Sequence, residues 1–270
     1  MKQSALEGAS GQGPLPLIEE CIGNTPLVRL RQLDQGLPWP VWVKCEHLNP
    51  GGSIKDRLAL SIIETAEREG KIRPGDTLVE ATAGNTGMGL LLVGRSRGYR
   101  VVCVLPAKMS PDKVRALQAL GAEVVVTPNA PLDSPDNFRQ VAARLARERG
   151  WFLTEQFDNP ANPAIHYATT GPEIWRQTQG RLGAVVLGVG TGGSLSGVGR
   201  FLKEQHPQVK VVLADPIGSC LWSFVEDGSL REDGAYAIEG IGSSLPPRNF
   251  EAQWVDGVER ISDQESFEMA

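Results

Sequence analysis

Short runs rich in valine and leucine alternate with amphipathic segments of helical period along most of this chain, and that alternation restricts its fold more than any other feature. The runs cover 40–45, 77–81, 100–105, 123–127, 184–188, 210–214 and 257–261. Alternation of this kind is the pattern of a parallel sheet with helices on both faces; the strands are short, as buried parallel strands usually are, and the amphipathic segments are the crossover helices such a sheet requires. The class is therefore α/β. Ser110-Pro111-Asp112 and Ser134-Pro135-Asp136 each set serine at an N-cap and proline at the first helical position. The first helix runs through Val114, Leu117 and Leu120 to Gly121; the second carries Phe138, Val141, Ala142 and Leu145 toward Gly150. Loops at 127–135 and 160–163 are the expected passages between subdomains.

Composition narrows the partner. At 270 residues, 41% hydrophobic and 22% charged, the chain suits one large soluble domain or two small ones. A net charge of -5 without blocks of like charge argues against nucleic acid and for a small-molecule partner. The 4 cysteines lie far apart without CxxC spacing and are joined by only 3 histidines, so neither a disulfide framework nor a metal site is expected. Cys103, inside the apolar run 101–105, reads as a buried reduced thiol, which suits a cytoplasmic location. Residues 1–13 are polar and Gly-rich and are expected to form a disordered tail; no run approaches membrane-spanning length.

Three segments carry the chemistry. In Asn49-Pro50-Gly51-Gly52-Ser53-Ile54-Lys55-Asp56-Arg57, Ser53 and Asp56 form an N-cap and acidic-partner pattern ahead of Leu58, Leu60, Ile62 and Ile63. Lys55 then lies in the first helical turn, where the positive end of the helix dipole disfavours the ammonium. A lysine held toward its neutral amine is a nucleophile able to form a Schiff base with a carbonyl cofactor. An ordinary capped helix with a solvated charged start is the alternative.

The run 184–193 is a strand entering a glycine loop, Gly188-Val189-Gly190-Thr191-Gly192-Gly193, followed by Ser194 and a helical pattern. Glycines allow consecutive N–H groups to converge on a phosphate at a helix N-terminus, with Thr191 and Ser194 adding hydroxyls. Gly188, Gly190 and Gly193 also satisfy GxGxxG, and Asp215 ends the next strand as a ribose-binding acid would, so an NAD-binding module is a second reading. A purely structural turn is a third. The turn Thr82-Ala83-Gly84-Asn85-Thr86-Gly87 likewise joins a strand to a helix and offers donors for a carboxylate. The Pro- and Asn-rich stretch 156–163 reads as a loop, with His166 and Tyr167 packing at the helix start beyond it.

Read together, these segments resemble the fold-type II pyridoxal-phosphate enzymes of the cysteine synthase and cystathionine β-synthase family. Further motifs extend the likeness over everything after residue 20: Ile22-Gly23-Asn24-Thr25-Pro26-Leu27, Gly171-Pro172-Glu173-Ile174 and Glu239-Gly240-Ile241-Gly242. The resemblance implies two three-layer αβα subdomains with mostly parallel sheets. The small, mobile substrate-binding one spans 46–155, and the large cofactor-binding one spans 14–45 plus 156–270. It implies that Lys55 carries pyridoxal 5'-phosphate and moves the α-proton, that Gly190, Thr191, Gly192, Gly193 and Ser194 hold the phosphate, and that Asn85 bonds the cofactor's 3'-oxygen. Thr82, Ala83, Asn85, Thr86 and Gln156 would line the substrate carboxylate, with Gly240 beside the amino acid. The implied reaction is β-replacement on serine or O-acetylserine by sulfide or a thiol, in a homodimer.

Ala83 departs from the family pattern, which usually has a serine or threonine there. The pattern also continues beyond residue 270 to a serine facing the pyridine nitrogen, while the helix that begins at Ser262 reaches Ala270 within about two turns. A C-terminally incomplete large subdomain is therefore expected, with a truncated, non-catalytic relative as one alternative and a serine/threonine dehydratase as another. Motifs of both the cysteine-forming and the cystathionine-forming branches are present, and neither haem nor nucleotide regulation is expected.

Overall fold

The first of the expected strands pairs differently from the rest. In the computed structural model, which describes residues 16–82, 84–231 and 234–270, β1 (Leu27–Arg29) and β2 (Trp42–Lys44) form an antiparallel pair. The segment at 40–45 is thus no member of a parallel sheet. It follows β1 through a short connection and folds back on it, and its side chains stay largely exposed. The expected tail at 1–13 and Ala83 lie outside the described residues.

From residue 77 to 261 all pairing within the sheets is parallel, as expected. Strands β3 (Thr77–Ala81), β4 (Arg100–Pro106), β5 (Glu123–Thr127) and β6 (Phe152–Leu153) form one sheet in the order β5-β4-β3-β6. Strands β7 (Ala184–Leu187), β8 (Lys210–Pro216) and β9 (Gly257–Ile261) form a second, in sequence order.

Alternation along β3 divides the first core. Leu78 joins Ala59, Ile63, Leu90 and Leu91, which come from α1 (Lys55–Arg68) and α2 (Asn85–Ser96), and Leu117 of α3 (Pro111–Ala119). Val79 and Ala81 turn to the other face, against Val141, Ala142 and Ala146 of α4 (Phe138–Arg149). Helices therefore cover both faces of this sheet. The second sheet buries Val211 and Leu213 beneath α7 (Gly193–Gln205) and α8 (Leu221–Asp227). Its opposite face is more open, with Val186 63% exposed.

Two helix starts differ from their expected places. Ser110 caps α3 as predicted, accepting from the Lys113 N–H. Ser134 instead closes a turn by accepting from the Asp136 N–H at 3.2 Å, and α4 begins three residues later, where Asn137 accepts from the Arg139 N–H. Asn137 wins because it is buried and its amide also ties down Ala130 O at 2.9 Å. The loop expected through 163 folds into a short helix, α5 (Ala161–Ile165), which continues through a π-helical turn at His166–Thr170 into α6 (Gly171–Gln177). None of the four cysteines forms a disulfide, and Cys103 is fully buried.

Candidate cofactor and substrate site

Lys55 is the first residue of α1, and its backbone N–H donates to Ser53 Oγ at 3.2 Å. The reciprocal half of the expected capping box does not form, because Asp56 Oδ2 accepts from the Gly51 N–H at 2.6 Å instead. Burial lowers the Lys55 pKa below its ordinary value. Among the described residues its ammonium makes no ion pair, so nothing opposes that drift toward the neutral amine. The α1–α2 crossing lies beside it: a Cβ on Gly89 would fall 2.8 Å from the Lys55 carbonyl oxygen, so only glycine permits this approach.

Arg57, in the same turn, is buried and far from the solvated cation of the alternative reading. Its Nε donates to Glu46 at 2.8 Å, while Nη1 and Nη2 both reach Glu173 of α6 at 2.7 Å. Lys44 donates to Glu173 as well, at 2.6 Å. These cations hold the Glu173 carboxyl down at about 2, against the burial that opposes it. The cluster fixes the N-terminal turn of α1, and with it Lys55, onto α6.

The glycine loop ends at the N-terminus of α7. Gly192 has φ +88°, and a Cβ on Gly193 would lie 1.9 Å from Asn162 Oδ1. Among the described residues the backbone N–H groups of 190–195 donate to no protein acceptor, and Ser194 makes no side-chain hydrogen bond. A row of unpaired N–H groups at a helix N-terminus is an anion cradle. Asn162 ties it to the rest of the site, donating both to Thr191 Oγ1 and to Gln156 O at 2.9 Å. Gly240 lies across the loop: a Cβ on Gly190 would meet its carbonyl oxygen at 2.3 Å.

The 82–87 turn is arranged similarly. Asn85 and Thr86 open α2, and the N–H groups of residues 85–87 have no protein acceptor among the described residues. Asn85 is exposed with its amide uncommitted, and Thr82 Oγ1 accepts from the Gly84 N–H at 3.3 Å. Thr86 and Gln156 are brought together, but they face each other: the Thr86 hydroxyl donates to Gln156 Oε1 at 2.6 Å. The Gln156 amide donates in turn to Ala81 O at 3.1 Å. The donors left for a carboxylate are thus chiefly backbone N–H groups, with Asn85 and the Thr82 hydroxyl.

Helix contacts join these motifs. Ser61 of α1 donates to Ala161 O of α5 at 3.0 Å, and α5 in turn holds the glycine loop through Asn162. The Lys55 and Arg57 charges reach His166, adding to the burial that pushes its pKa down to about 3. His166 packs rather than reacts, with Nδ1 2.9 Å from Thr170 Oγ1. Asp215 does not serve the loop as a ribose acid would. It is buried, and Oδ2 accepts from the Trp222 N–H at 2.9 Å at the start of α8. Among the described residues no cluster of three or more metal-ligating side chains occurs, and no helix is long and apolar enough to cross a membrane.

Sequence reasoning passed over Asn162 and Glu80. Asn162 sat in a stretch read as loop, and its packing against Gly193 has no local signature. Glu80 carries a signal in the sequence, a carboxylate inside a largely apolar strand. An uncommitted buried amine, an anion cradle and an uncommitted amide suit a cofactor that is both aldehyde and phosphate ester.

Comparison with known proteins gives the family. The model of the pyridoxal-phosphate dependent enzyme family matches residues 18–270. A cysteine synthase of Staphylococcus aureus (strain N315) is 42% identical over 260 residues, covering 96% of this chain and 81% of that protein. A cystathionine beta-synthase of Apis mellifera is 41% identical over 260 residues, but the match spans 51% of its length. Among solved structures, an O-ureido-L-serine synthase superposes with TM-score 0.83 at 37% identity, covering 93% of this chain and 77% of that one. A hydrogen sulfide-producing enzyme from Fusobacterium nucleatum gives TM-score 0.86 at 32% identity, covering 96% and 83%. The chain belongs to the pyridoxal-phosphate dependent enzymes, in their cysteine synthase-like β-replacement family, and pyridoxal phosphate is its cofactor.

Proposed function

We propose that this protein replaces the β-substituent of O-acetylserine or serine, with sulfide giving cysteine or with a thiol amino acid giving cystathionine. The observation that carries this reading is the pairing of an ion-pair-free Lys55 amine with the unpaired N–H groups of 190–195, linked through α5. Gly190, Thr191, Gly192, Gly193 and Ser194 would hold the cofactor phosphate, Lys55 its aldehyde carbon and Asn85 its 3'-oxygen. Bound there, the cofactor supplies an electron sink that acidifies the substrate α-carbon. Lys55 takes the α-proton. The N–H groups of 85–87, with Thr82 and Asn85, hold the substrate carboxylate, joined by Thr86 when Gln156 releases its hydroxyl proton; Gly240 borders the amino acid. The small subdomain at 46–155 carries the substrate turn, while 14–45 with 156–270 carries the cradle, in a cytoplasmic homodimer.

The purified protein is expected to be yellow, and borohydride reduction is expected to abolish its visible band and leave the label on Lys55. With O-acetylserine and sulfide the product is expected to be cysteine. Ketoacid formed from serine at a rate unaffected by sulfide or homocysteine would assign it as a dehydratase instead.

A further inference from the structure

Glu80 lies on β3 directly beneath the substrate turn, with its carboxylate buried and no cation paired with it among the described residues. Its Oε2 accepts from Thr154 Oγ1 and, at 3.0 Å, from the Gln156 N–H. Its Oε1 faces Gln156 Nε2 at 3.4 Å. The Gln156 amide is therefore oriented by a group that only accepts. It points NH2 inward, toward Glu80 and Ala81 O, and its oxygen outward, toward the Thr86 hydroxyl.

We infer that Glu80, Gln156 and Thr86 form a relay whose hydrogen-bond polarity is set by a proton on Glu80, making Glu80 a positioning residue for the substrate carboxylate. With Glu80 ionised, Thr86 spends its only hydroxyl proton on Gln156 and offers a carboxylate none. A proton taken from solvent onto Oε1 opposes the Gln156 NH2, donor against donor. Rotating that amide by half a turn relieves the conflict: Gln156 Oε1 accepts the new O–H, and its NH2 donates to Thr86 Oγ1. The Thr86 hydroxyl proton is then free to turn outward. The cost is the bond to Ala81 O. One proton has been taken up and no other atom transferred.

The surroundings place this switch in a useful range. Burial raises the Glu80 carboxyl to about 7 despite the hydrogen bonds it accepts. Cys103, its register partner on β4, and Arg139 on α4 both register its charge, and neither pairs with it. Burial pushes the Cys103 thiol up to about 12, so it stays neutral throughout. Lys55, Asp56 and Arg57 of α1 make no bond to Glu80.

The inference rests on the proposed substrate class, but its first test does not. In cofactor-free protein labelled with 15N, the Gln156 side-chain amide resonances are expected to shift between pH 6 and 8.5 and to stay fixed in Glu80→Gln, whose amide mimics the protonated acid. Fixed wild-type resonances, or an unchanged titration in Glu80→Gln, would overturn the relay. Should that variant fail to fold, Thr154→Val removes one donor to the carboxylate and is expected to move the midpoint to higher pH; an unmoved midpoint overturns it equally. In the holoenzyme, O-acetylserine is expected to bind about tenfold more weakly at pH 8.5 than at pH 6.5, roughly one charge-assisted hydrogen bond, with the dependence absent in Glu80→Gln. Amide switching without any amino-acid binding would support the relay and fault the proposed reaction; binding that tightens with rising pH would overturn the coupling.

Discussion

Arg57 and Glu173 meet as a bidentate pair, Nη1 to Oε1 and Nη2 to Oε2, both at 2.7 Å, across 116 residues of sequence. The pair joins the first turn of α1 to α6 and is shared with Glu46 and Lys44. Removing one partner of so buried a cluster leaves charge without compensation. Arg57→Met is expected to cost about 3–5 kcal/mol in denaturant unfolding. Arg57→Lys is expected to recover little of it, since an ammonium cannot span both carboxylates with parallel bonds.

Lys55→Ala is expected to lower turnover by at least about 10³-fold, because the variant has neither the nucleophile nor the proton acceptor. Lys55→Arg keeps the charge but remains protonated at any accessible pH, so it is expected to be as inactive. Absorbance of the reconstituted proteins reports cofactor attachment, and steady-state rates report the chemistry.

Two positions of the glycine loop exclude a side chain for different sets of reasons. Gly192→Ala places a side chain at φ +88°, a strain of about 1–3 kcal/mol, and also drives the methyl to 2.6 Å from the Phe250 backbone nitrogen. Gly193 lacks that strain, but a methyl there would displace Asn162 and both of its hydrogen bonds. Each variant is expected to weaken cofactor binding by about 100-fold or more, measured by titrating the apoprotein. Gly257→Ala meets no neighbour and is expected to leave cofactor affinity unchanged.

His166 makes the fold acid-sensitive. Its folded pKa of about 3 lies below the ordinary 6.5, so the native state keeps it neutral while the unfolded chain gains a proton as the pH drops. The stability it contributes is complete above pH 6.5 and is lost as pH falls toward 3, by about 2 kcal/mol on reaching pH 5. Glu80, raised to about 7, acts in the opposite sense, since its ionisation destabilises the fold as pH rises toward 7. Between pH 7 and 5 the two effects oppose each other, so urea unfolding is expected to show a wild-type stability change about 2 kcal/mol less favourable than that of His166→Asn, which keeps the Glu80 contribution and lacks the histidine one.

The alternation of short runs with helical segments located β3, β5 and β9 to the residue, although of the three only β3 is buried along its whole length. It misplaced the 40–45 run, since antiparallel pairing is decided by a partner, β1, too short to show periodicity. The site was legible where chemistry demands a residue type in a local context: Lys55 at a helix start, glycines before α7, Asn85 and Thr86 before α2. What could not be read depends on distant contacts. Thr86 and Gln156 were expected side by side on the substrate, yet each satisfies the other, and Glu80 beneath them decides how. Asp56 looked like a cap partner, but the Gly51 N–H claims its carboxylate.

The bare backbone contact between Gly89 and the Lys55 carbonyl has a bearing on how this active site could be altered. At Gly89 itself no side chain separates α2 from the Lys55 carbonyl, so the distance from the lysine to the Asn85 turn depends on this close main-chain approach. Every side chain lining the pocket could change without altering that spacing. A single methyl at 89 would change it while leaving all of them in place, which makes this position a gauge for the reach of the amine, separate from its reactivity.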